Sequence, residues 1–192
     1  MLSFIKTYCL CTCLLVAQIN LLTAEEIQPA SEVITQDSIR SSLKATGNYR
    51  FVYRMFFKLY DASFYTDAAK TEDVGELLSG KYVLHLEFDY LRKIKKSIVL
   101  ESSEKILAKN MSAEQLGSIQ ERVDRINAAY RTVYKGDRSA LSYLPGFGTT
   151  LWINGEPVIT IEGEDFARLY FRIWFGEQPI SVQMRNALLR RV

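Results

Sequence analysis

The sequence predicts an α+β fold built on a mostly antiparallel sheet, and two observations carry that expectation. Strand-like and helix-like segments follow as strands, helix, strand, helices, strand meander and helices, without the regular alternation that a parallel sheet needs. Asn154-Gly155 sits between two alternating runs, the pattern of a tight hairpin, and a tight hairpin joins antiparallel neighbours. Of the 192 residues, 48% are hydrophobic and 24% are charged, enough apolar material for one sizeable core. A formal net charge of +2 gives no electrostatic commitment to nucleic acid.

Taken in order, residues 1–24 stand apart. MLSFIKTY carries one Lys, CLCTCLLVAQINLL carries no charge, and TAEE turns acidic, the layout of a secretory signal peptide with cleavage expected after Ala24. Gln18 and Asn20 interrupt the apolar run, which is short and polar for a membrane span. The expected location is periplasmic or secreted, with no integral membrane span in the mature chain. Cys9, Cys11 and Cys13 all lie in this leader, so the mature chain would lack disulfides, a thiol nucleophile and thiolate ligands. Residues 25–37 read as a flexible lead-in and residues 38–192 as one domain.

Ser41 to Thr66 is rich in β-branched and aromatic residues, and Gly47-Asn48 reads as a turn between two strands. Residues 71–80 suit a short helix capped by Thr71 and stopped by Gly80. KYVLHLEFDY alternates, with Val83, His85, Glu87 and Asp89 on the wetter face of a half-buried strand. Ser112 with Gln115 forms a capping box before the stripe Leu116, Ile119, Val123, Ile126, Tyr130 and Val133, a helix with one packing face. Gly136-Asp137 is a turn, and SALSYL, GTTLWI and PVITIE are strands. EDFARLYFRIWFG is an apolar helix ended by Gly176, and Ser181 caps a last helix with a basic end.

Chemistry is sparse. His85 is the one histidine, so neither a metal site nor a Ser-His nucleophile is expected. PGFGTT lacks the Lys of a phosphate loop, and Glu101 and Glu104 among lysines read as a solvated helix face. No cofactor is implied. What remains is YRMFFKLYDASFY, Tyr53 to Tyr65. As a regular strand it places Arg54, Phe56, Lys58, Tyr60, Ala62 and Phe64 on one side, with Met55, Phe57 and Leu59 on the core side. Two readings stay open: a sheet face whose cations keep their heads in water, or a cleft that grips an acid through Arg54 and Tyr60.

RMFFKLYDASFY and YKGDRSALSYLPGFGTTLWINGEPVITIEGEDFARLYFRIWFGEQPIS resemble the bacterial, exported branch of the chalcone isomerase-like family. The similarity runs from about Leu43 to Leu189. It implies an open-faced β-sandwich, a large antiparallel sheet with helices packed on one face and a pocket between them. Members with isomerase activity use a strand Arg, the Thr of a Lys-x-Thr turn, a helix Tyr and Asn, and a later Thr or Ser. Here Tyr60 stands for the first Thr, Ser102 for the Tyr, Lys109 for the Asn with Asn110 one residue out of phase, and Ala167 for the later hydroxyl. Members without activity bind fatty acids through an Arg and a Tyr.

The resemblance therefore implies a non-catalytic binder of a fatty acid or similar amphipathic acid. Arg54, Tyr60, Arg50, Phe56, Lys58 and Phe64 are the candidate ligand residues, with the choice between Arg50 and Arg54 as carboxylate partner left open. One alternative is an isomerase or lyase acting on a ketone or enone, with Arg54 as electrophile and Tyr60 as acid. Another is a partner-binding structural protein, which would expose the apolar 166–175 helix.

Overall fold

A computed structural model describes residues 34–190. The expected signal peptide and residues 25–33 of the lead-in lie outside them. Six strands, β1 (Lys44–Tyr53), β2 (Phe57–Thr66), β3 (Leu84–Tyr90), β4 (Arg138–Leu144), β5 (Gly148–Ile153) and β6 (Glu156–Ile161), form one sheet. They pair in chain order, each antiparallel to the next. The α+β architecture and the antiparallel sheet are as the sequence predicts. Asn154 and Gly155 adopt the positive φ values of a tight turn, 56° and 86°, between β5 and β6.

The helices are α1 (Gln36–Ser42), α2 (Val74–Leu77), α3 (Lys96–Asn110), α4 (Ala113–Ala129), α5 (Glu164–Tyr170), α6 (Arg172–Phe175) and α7 (Val182–Leu188). The capping box of α4 is present: Gln115 N donates to Ser112 Oγ at 3.2 Å and Ser112 N to Gln115 Oε1 at 3.1 Å. Its apolar stripe buries Ile119, Val123 and Ile126. The main core joins these to Phe64, Leu86, Leu141 and Leu151 of the sheet and to Phe166, Phe171 and Phe175 of the C-terminal helices. Each such side chain contributes about 1.5–3 kcal/mol of burial. The expected 164–176 helix exists as α5 and α6, which meet at Phe171, and its large rings face inward. The exposed apolar helix of the structural alternative is therefore not found.

Four local expectations are corrected. Gly47-Asn48 is not a turn but lies within β1. A Cβ at Gly47 would meet Ala187 O at 2.0 Å, so this glycine lets α7 approach the strand rather than reversing the chain. The reversal falls instead at residues 54–56, where Arg54 and Met55 take φ values of 48° and 61°. Thr71 does not cap α2, because its hydroxyl donates to Leu189 O at 2.5 Å, and Asp73 accepts from Glu76 N in its place.

The lead-in ends sooner than expected, since Thr35 caps α1 with a capping box and Gln36 is buried. This helix covers the sheet face opposite the main core, setting Ile39 against Ala140 and Trp152. For that reason His85 and Glu87, expected on a wet face, are both buried.

Candidate functional site

A cavity of about 600 Å³ opens between the sheet and α3 and α6. Its apolar wall includes Phe51 of β1, Leu59 of β2, Phe88 of β3, Leu141 of β4, Val99 of α3 and Ile173 and Trp174 of α6. Register brings its hydroxyls together: Tyr60 pairs with Tyr90 across β2 and β3, and Phe88 with Ser139 across β3 and β4. Mutual bonds between Ile94 and Val133, both at 3.0 Å, fix the loop that leads into α3. From there Ser102 and Ser103 reach the cavity.

Tyr60 stacks on Phe51 at 5.1 Å and meets Phe88 and Tyr90 edge-on at 5.3 and 6.2 Å. Burial, reinforced by Tyr90 and Tyr49, holds its phenol far above the ordinary range. Tyr90 is pushed up to about 12, chiefly by burial, although the hydrogen bond with Ser139 at 2.9 Å opposes the shift. Tyr130 is likewise raised by burial and by its tyrosine neighbours. These phenols stay neutral, so they offer hydrogen bonds rather than phenolate bases. Among the described residues one cation joins the lining: Lys93, whose Nζ lies 5.2 Å from the centroid of the exposed Tyr134 ring.

Of the six residues singled out from sequence, Tyr60 lines this cavity. Arg54 and Phe56 sit on the exposed β1–β2 loop, because the chain reverses there instead of continuing as a strand. Lys58 is also exposed. Arg50 makes a two-pronged pair with Asp61, at 2.7 and 2.8 Å, outside the lining. Phe64 is packed against Phe175 at 4.6 Å. The face assignment of β2 is thus corrected: Tyr60, Ala62 and Phe64 point into the core, while Met55 and Phe57 are exposed.

Lys93, Tyr90, Tyr130, Ser103 and Ser139 were not singled out by sequence. Tyr90 carried a signal, since it shares the alternating face of Phe88. Asn110, matched loosely to a family catalytic position, is a bracket: its amide donates to Gln178 O at 2.8 Å and accepts from Gln178 N at 2.9 Å. Ala167 is buried in the core and is absent from the cavity lining. Among the described residues no group of three or more acidic, His or Cys side chains is placed to hold a metal ion.

A family model described as chalcone isomerase-like matches residues 29–190. The chain belongs to that family. Among solved structures, this chalcone isomerase-like protein is similar to the fatty-acid binding protein of Arabidopsis thaliana, with a TM-score of 0.57 and 12% identity. The match covers 77% of this chain and 84% of that one, and at such identity the likeness is one of fold. No curated protein matches the chain.

Proposed function

We propose that this chalcone isomerase-like protein belongs to an exported bacterial branch and binds a fatty acid or similar amphipathic carboxylate without transforming it. The observation that carries the proposal is the cavity itself: largely apolar walls, a few neutral hydroxyls and one ammonium at the rim. Its size falls within the roughly 300–1,000 Å³ of small-molecule sites. A hydrocarbon tail gains about 0.8 kcal/mol for each methylene buried among Phe51, Leu59 and Trp174. An ionised carboxylate cannot follow it inward without a partner. Lys93 supplies that partner at the rim, so the acid end stays outermost and the tail enters.

Two things favour binding over turnover. Among the described residues the lining holds no carboxylate or imidazole to serve as a general base at neutral pH. In the positions matched to the enzymes' Tyr and later hydroxyl stand Ser102, which is too short to present a phenol, and Ala167, which is core. The fold it shares with a fatty-acid binding protein supports the ligand class.

Mass spectrometry of the intact protein after export tests both parts of the proposal. The expected result is a chain beginning after Ala24 that carries a fatty acid under native conditions. Titration with palmitate should also change the emission of Trp174, which lines the cavity, and a saturable signal is expected. An exported protein that carries no lipid and shows no palmitate response would remove the binding proposal.

A further inference from the structure

The apolar side chains left in water are not spread evenly. Val52, Tyr53, Met55, Phe56 and Phe57 follow one another at the β1–β2 tip, with Met55 and Phe56 84% and 78% exposed. Ile98 and Tyr134, also exposed, adjoin the same cavity mouth through the lining and through Lys93. Exposed cations accompany this patch: Arg54 lies 5.3 Å from the Tyr53 ring centroid, and Lys58, Arg92, Lys93 and Lys95 are supplied by the same two segments. Residues 51–59 and 91–99, which supply them, contain no Asp or Glu. The two segments are joined, since Leu91 N donates to Leu59 O at 2.9 Å and the Arg92 guanidinium lies 5.1 Å from the Phe57 ring centroid.

The backbone adds a second observation. Arg54 and Met55 both hold left-handed conformations in which Asn and Gly are the easy choices. The turn tolerates strain to present a long cation and a flexible apolar side chain, which folding alone does not require.

The geometry points to a lipid bilayer with anionic headgroups as the partner of this tip. Met55 and Phe56 enter the apolar boundary, Tyr53 sits at headgroup level, and the cations meet the lipid phosphates. A narrow loop suits a bilayer better than a protein, because specific protein interfaces need about 800 Å² from each partner. Tyr53 also lines the cavity, so the docked mouth faces the membrane from which an amphipathic acid would enter. The use of docking rests on the binding proposal; docking itself does not.

Full-length chain carrying Phe56→Trp is mixed with vesicles of phosphatidylcholine alone or with phosphatidylglycerol, some containing brominated acyl chains. The emission added by the new Trp over the parent should shift to the blue and be quenched by bromine, more strongly with phosphatidylglycerol and less at high salt. Met55→Ser combined with Phe56→Ser should weaken tip-dependent vesicle association about a hundredfold, since two large apolar side chains are withdrawn. It should leave palmitate uptake from free solution unchanged. An unshifted, unquenched emission overturns the inference, as does lipid-independent self-association that the double variant abolishes. Docking without palmitate uptake from solution would instead sink the binding proposal alone; uptake without docking would sink this one alone.

Discussion

At the cavity rim Lys93 combines exposure with reach, because its stem adjoins the apolar wall while its ammonium lies over Tyr134. An exposed ion pair is worth up to about 1 kcal/mol, so Lys93→Met should weaken palmitate binding by about fivefold. Hexadecanol, which has no charge to pair, should bind the variant and the parent alike. Isothermal titration of both ligands against both proteins checks this, and equal losses for acid and alcohol would move the carboxylate elsewhere. Tyr60 shows what a single position reveals in advance. Its place beside Ala62 and Phe64 follows from period two alone, whatever happens upstream. Arg54 was not legible in the same way, because its direction depends on where the hairpin reverses. That reversal uses two non-glycine residues at positive φ, while the Gly-Asn pair that advertises a turn serves close packing against α7.

Among the elements, α1 was the one sequence could not reveal. It spans seven residues with one large apolar side chain, Ile39, too little for a periodic signal. Its docking explains the buried polar group on the sheet's second face. Gln36 Nε2 donates to Glu87 Oε1 at 2.8 Å, His85 Nε2 lies 3.2 Å from the same oxygen, and His85 Nδ1 is 2.7 Å from Ser142 Oγ. Burial pushes the Glu87 carboxyl up, but the contacts with His85 and Gln36 outweigh it and leave the group below its usual value. A carboxylate whose folded pKa is depressed stabilises the fold at pH above the ordinary carboxylate range. That contribution fades as pH falls through the folded value. Removing the carboxylate leaves the buried Gln36 amide without its acceptor and His85 Nε2 without its charged neighbour, so Glu87→Ala should cost about 3 kcal/mol at neutral pH. Urea unfolding of the two proteins from neutral to acidic pH checks it, and their difference should shrink toward the acid end. A constant difference would show that Glu87 acts through packing and not through charge.

At the scale of the molecule, the core is filled by interlocking rings such as Phe64 against Phe175 and Phe171 against Phe175, yet a void of about 600 Å³ lies beside it. The antiparallel sheet was legible because alternation and the Asn154-Gly155 turn are local signals. The cavity was foreshadowed by the family resemblance and not by local pattern, since it forms where β1 to β4 meet α3 and α6, segments far apart in sequence. An occupant of an apolar cavity makes dispersion contacts with its walls, so it should stabilise the fold. Linkage gives about 2.7 kcal/mol for ligand at a hundredfold excess over Kd, or a rise of roughly 5–10 °C in Tm for a domain of this size. Ser102 is half-buried on the cavity wall and makes a suitable plug site. Ser102→Trp should fill part of the space without removing any side chain from the core, leaving the unliganded Tm near that of the parent. Palmitate should then raise the Tm of the parent by several degrees and that of the variant by clearly less. Equal shifts in both proteins would place the lipid outside this cavity and detach the apolar void from the binding proposed for it.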